Sequence, residues 1–82
     1  MEALYKIIHG KVEALEFYIR EDSGMTGATL EALPIKDGVL VAGIIRDGKV
    51  IIPNGKSTLH KNDSVIIITR ITGMQNLEDI LK

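Results

Sequence analysis

The chain has no cysteine and no tryptophan, and its aromatic residues are two tyrosines and one phenylalanine. Without cysteine there is no disulfide, thiol redox centre or cysteine-bound zinc. With few rings to stack on bases, and ten Lys and Arg scattered against eleven Asp and Glu, there is no electrostatic footprint for nucleic acid. No apolar run approaches the ~20 residues that cross a bilayer. Met1 to Gly10 carries Glu2, Lys6 and His9 where a signal peptide needs an apolar segment. The chain is therefore read as cytoplasmic, with any membrane connection made through a partner.

Catalytic chemistry is equally scarce. His9 and His60 are the only histidines, and neither has acids at metal-ligand spacing. Ser23, Ser57 and Ser64 lack the strand-to-helix elbow of an activated nucleophile. Glu13, Glu16, Glu21 and Asp22 form the densest acidic group, but nothing apolar surrounds them to raise a carboxyl into the range of a general acid. Asp63 beside Asn62 offers too few oxygens for calcium and reads as a turn residue. The expectation is a protein that is not an enzyme and binds no metal.

What is present is strand. Val39 to Ile45 and Lys49 to Ile52 are apolar and rich in β-branched residues, joined by Arg46-Asp47-Gly48. Asp-Gly suits a type I′ hairpin, which needs positive φ at both central positions. Pro53-Asn54-Gly55 stops the second strand, because proline has no amide hydrogen to give and Asn-Gly favours left-handed geometry. Leu4 to Ile8 and Val12 to Ile19 read as two further strands turning at His9 to Lys11, with Leu15, Phe17 and Ile19 on one face. Val65 to Ile68 is a fifth, apolar on both faces, so both call for cover. Short helices are predicted from Thr29 to Leu33, ended by Pro34, and from Asn76 to Leu81, with Asn76 as cap and Asp79 near the positive end.

At 82 residues with 45% hydrophobic content, the chain makes one small domain, burying about 60 to 65% of its unfolded surface. The fold class is α+β: a small, mostly antiparallel sheet with a short central helix and a short C-terminal helix. So much apolar strand in so small a body has two readings, an ordinary core under the two helices or a homodimer hiding a sheet face or edge. Arg46, Ile52, Pro53 and Asn54 carry the best ligand chemistry. Arginine forks onto phosphate, Asn bonds an adenine edge and an Ile-Pro surface covers a base. The plainer reading is that Arg46 solvates the hairpin tip and Asn54 serves its turn.

The run G-V-L-V-A-G-I-I-R-D-G-K-V-I-I-P-N-G, followed by L-x-x-N-D-S-V-I-I-I-T, resembles the TrkA C-terminal domain, also called the RCK C-terminal domain, of Trk-type bacterial potassium uptake proteins. The likeness runs from about Leu15 to Lys82 and implies that residues 1–82 are one such domain, the C-terminal part of a longer protein. It implies a regulatory homodimer at the inner face of the membrane, acting on a potassium channel subunit through an N-terminal nucleotide-binding domain. No G-x-G-x-x-G fingerprint of that domain occurs in these residues. Related domains bind cyclic di-AMP at the dimer interface through an arginine and an Asn-Pro pair of the same hairpin. The order here is Pro53-Asn54, so the equivalence is one of region. The alternatives are a purely structural dimerisation module and a regulator of another cation antiporter or carrier.

Overall fold

The computed structural model describes residues 1–82. Five strands, β1 (Ala3–Ile7), β2 (Val12–Tyr18), β3 (Val39–Arg46), β4 (Lys49–Ile51) and β5 (Ser64–Thr69), form one antiparallel sheet in the order β1-β2-β5-β3-β4. The most apolar strand, β5, sits at the centre, where its backbone is paired on both sides. Between β3 and β4, Asp47 and Gly48 have φ of 51° and 76°, as the type I′ turn requires. Asn54 does not take the left-handed conformation expected of it. Its Oδ1 accepts the Lys56 amide at 2.8 Å instead, an Asx turn that reverses the chain at negative φ.

The two predicted α-helices are absent; each is a single 3₁₀ turn, Leu30–Ala32 and Leu77–Ile80. The first segment spends its amides elsewhere: Leu30 N–H donates to Ser57 C=O and Glu31 N–H to Gly55 C=O, both at 2.9 Å. Pinned to a neighbouring loop and stopped by Pro34, it has too few residues to repay helix nucleation. At the C-terminus the Asp79 carboxylate accepts the amides of Gln75 and Asn76 at 2.9 and 3.0 Å. Lys36 N–H then takes the Ile80 carbonyl and Lys82 N–H the Pro34 carbonyl, each at 2.8 Å, which draws the last residues out as a bridge.

The register sorts the strands into two faces. Leu15, Phe17, Val41, Ile44, Val65 and Ile67 share one, and Leu30, Leu59, Met74, Leu77 and Ile80 bury it from the loops and turns. Nothing in the chain covers the other. Tyr5, Ile7, Ala14, Leu40, Ile45, Val50, Ile66 and Ile68 lie on it, with Glu16 its one charged residue within the strands. Tyr5, Leu40 and Val50 are each more than half exposed, as is Ile52 just beyond β4.

One buried group is unpaid. Glu13 is 4% exposed, between Lys6 and Thr69 in register, and its Oε1 has no hydrogen-bond partner. Leaving a buried acceptor unsatisfied costs about 1 to 3 kcal/mol. Glu13→Met, which keeps the length and removes the oxygens, is therefore expected to raise stability by about 1 to 3 kcal/mol in urea denaturation. A lower midpoint would mean that the carboxylate finds a donor in solution.

Candidate functional site

The β3–β4 hairpin and the loop that follows bring together two features, a charged clamp and a cleft. In the clamp, Arg46 Nε donates to Asp63 Oδ1 at 2.9 Å and Nη2 donates to Asp63 Oδ2 at 2.8 Å. The same Nη2 donates to the Thr58 carbonyl at 3.0 Å, and the His60 amide donates to Asp63 Oδ2 at 2.8 Å. The Asp63 side chain is 1% exposed and that of Arg46 29%. Burial pushes the Asp63 carboxyl up, but the Arg46 fork, the His60 amide and the nearby positive charge together hold it below the usual carboxylate range. The Arg46 guanidinium is held above its ordinary value, chiefly by its bonds to Asp63. This arginine fastens the loop from Thr58 to Asp63 onto the end of β3.

The cleft, about 490 Å³, lies beside the first half of β3. Val39 and Val41 form one wall, Leu30, Glu31 and the Pro53–Gly55 turn another, and Ile35 to Gly38 the end. Its volume falls in the range of small-ligand sites. Of the four residues singled out from the sequence, Pro53 and Asn54 line it, Ile52 stands exposed at the margin of the open sheet face, and Arg46 lies in the clamp outside it. Asn54 has its Oδ1 on Lys56 N–H, while its own N–H donates to Ser57 Oγ at 3.0 Å. Sequence reasoning missed the partnership of Asp63 with Arg46. The available signal was an acid placed immediately before a strand as apolar as Ser64–Thr69, where a carboxylate enters the core only with a cation. No group of three or more His, Cys, Asp or Glu is arranged to hold a metal, and no helix is long and apolar enough to cross a membrane.

A family model for the TrkA-C domain matches residues 14–82. The chain belongs to that family. Among curated proteins, the TrkA-C chain is 31% identical over 71 residues to the Trk system potassium uptake protein TrkA homolog 2 of Methanosarcina mazei. It is 32% identical over 71 residues to the TrkA homolog of Archaeoglobus fulgidus. Each match takes in 87% of this chain and 16% of the relative, so the domain spans about a sixth of the length of these proteins. A match to the TrkA homolog of Pyrococcus abyssi, 27% identical, takes in 85% of this chain and 31% of that protein. In three dimensions the TrkA-C domain is similar to a solved structure of an RCK domain with cda, with a TM-score of 0.59 and 22% identity. That similarity covers 66% of this chain and 76% of the solved one, and establishes a shared fold. β1 lies outside the residues that the family model matches.

Proposed function

We propose that this TrkA-C domain is a non-catalytic regulatory and dimerisation unit of a Trk-type potassium uptake system, working at the cytoplasmic side of the membrane. The observation that carries the reading is the uncovered apolar face of the sheet. Five strands about 4.8 Å apart and about 20 Å long present roughly 400 to 500 Å², so two copies face to face cover about 1,000 Å², the least that a biological interface needs. Glu16 belongs at the rim of such a contact, which sets its centre nearer β5, β3 and β4 than β1. The names of the relatives support potassium uptake as the system served, and a membrane channel subunit, reached through the rest of the polypeptide, is the partner that receives the signal.

A nucleotide-type ligand, of which cyclic di-AMP is the one the family resemblance suggests, is placed on Ile52 and the Pro53–Asn54 turn at the edge of that contact. Ligand contacts that differ between two arrangements of the pair are all that regulation requires. Light scattering of the domain is expected to give a dimer, and Ile68→Lys with Val50→Lys to give a folded monomer. A wild-type monomer at high concentration removes the reading. Calorimetry of the dimer with cyclic di-AMP is expected to show saturable binding that Asn54→Ala and Ile52→Glu weaken. A dimer silent to that ligand and to adenine nucleotides is a structural module alone.

A further inference from the structure

β3 is flanked by strands on both sides only over its second half. Toward β4 the register runs Ile44 to Ile51, Ile45 to Val50 and Arg46 to Lys49, and no strand lies beside Val39 to Ala42 on that side. The β5 side tells which backbone groups this leaves free. Arg70 N–H donates to Gly38 C=O at 3.1 Å, so Gly38 and Arg70 form a hydrogen-bonded pair of the β3–β5 ladder. Such pairs alternate in an antiparallel ladder. Leu40 therefore turns its N–H and C=O to Ile68, while Val39 and Val41, opposite Thr69 and Ile67, turn theirs away from β5. Both valines line the cleft, and no turn, loop or cap bond of the chain involves either of them. Val41 is 8% exposed. A free sheet edge opening into a cleft is a template for a further strand.

We propose that the cleft is a strand-addition site that takes one extended segment of a partner protein, hydrogen-bonded to the backbone of Val39 and Val41. The free edge of four residues runs about 13 Å, the length of four residues of an extended chain. Opposite it stand Pro53 to Gly55 and Leu30 to Glu31, across a cleft of about 490 Å³. Leu30, Ile35 and Pro53 ask for apolar side chains at alternate positions of the segment. The Glu31 carboxylate lies against Gly55 and makes no ion pair; the two in the chain are Arg20 with Glu2 and Arg46 with Asp63. With Asp37 it outweighs Lys36, the one cation of the lining, and supplies the charge for a lysine or arginine of the incoming segment. The assignment shares the Pro53–Asn54 turn with the nucleotide reading, and the two are told apart by which ligand protects the Val39 and Val41 amides.

The test is amide NMR of the 82-residue chain titrated with capped hexapeptides that alternate valine with lysine or threonine, alongside the same peptides N-methylated at alternate residues. The unmodified peptides are expected to bind saturably and to slow hydrogen exchange at the Val39 and Val41 amides about tenfold or more, leaving Leu40, already bonded to β5, unchanged. Glu31→Lys is expected to weaken the lysine-bearing peptides about two- to fivefold. Equal binding by the N-methylated peptides, or no response at Val39 and Val41 at millimolar peptide, overturns the proposal. So does protection of these amides by cyclic di-AMP with none by peptide, which makes the cleft a nucleotide site. Dimerisation, read in parallel by light scattering, is untouched by any of these results.

Discussion

Arg46→Ala is expected to destabilise the domain by about 3 to 5 kcal/mol, because it strands the Asp63 carboxylate in the core with a single amide for company. The opposite cut is milder. Asp63→Ala leaves an arginine that is 29% exposed, still bonded to the Thr58 carbonyl and free to turn its charge to water, at about 1 to 3 kcal/mol. A chain of 82 residues has about 4 to 12 kcal/mol in all, at roughly 0.05 to 0.15 per residue, so the first substitution removes a large share of it. Urea denaturation of the two variants measures the asymmetry, and equal losses would mean that Asp63 reaches solvent.

The acid limb of stability carries the same signature. Burial raises the Asp63 carboxyl, the Arg46 fork and His60 amide lower it by more, and the net folded value lies below the ordinary one. A group depressed on folding contributes fully above its unfolded value of about 3.9 and loses that contribution as the pH falls through its folded value. Asp63 therefore adds no slope between about pH 7 and 5, and stability drops below about pH 4. Asp79, held down first by the Asn76 amide and then by that of Gln75, acts with the same sign. Arg46→Ala should flatten this acid limb without abolishing it. One consequence reaches the ligand question: lost binding in Arg46→Ala reports a loosened loop as readily as a lost phosphate contact, so Asn54 and Ile52 are the informative positions.

The strands were legible because their signals are local. Alternation in Val12 to Tyr18, four β-branched residues in Val65 to Ile68, and Asp47-Gly48 with positive φ at both positions each fix geometry within a few residues. The helices were misread because the deciding bonds are distant. Leu30 and Leu33 have helical spacing, but the amides of Leu30 and Glu31 belong to carbonyls some twenty-five residues ahead, and no pattern within Thr29 to Leu33 announces that. The site divides the same way. Pro53 and Asn54 fall on the cleft because turn chemistry placed the chain reversal there, whereas the pairing of Arg46 with Asp63 and the free edge at Val39 and Val41 depend on β5 entering between β2 and β3. Arg46 has the chemistry for phosphate, but a buried acid seventeen residues on claims its fork.

Leu59→Ala is expected to cost about 2 to 5 kcal/mol, the range for a fully buried leucine whose site collapses only in part. The residue lies outside every strand, yet it is 0% exposed. With no α-helix over the covered face, leucines and methionines of irregular segments do that work, and Leu59 is the deepest of those on the loop between β4 and β5. Its carbonyl accepts the Gly27 amide at 3.0 Å, and the neighbouring Arg46 and Asp63 bonds anchor the same loop, so its side chain and backbone hold one wall of the sheet. Ile66→Ala is the control: the same loss of apolar bulk, but on the open face, where its side chain is half-buried and no loop packs over it. In urea denaturation at concentrations low enough to keep the chain monomeric, Ile66→Ala should cost well under half of Leu59→Ala. Raising the concentration until copies pair should widen the loss at Ile66 and leave that at Leu59 unchanged, since only a contact between copies buries the first. A cost at Ile66 that matches Leu59 in the monomer would mean the chain shelters both faces by itself, and the argument for a paired domain would lose its ground.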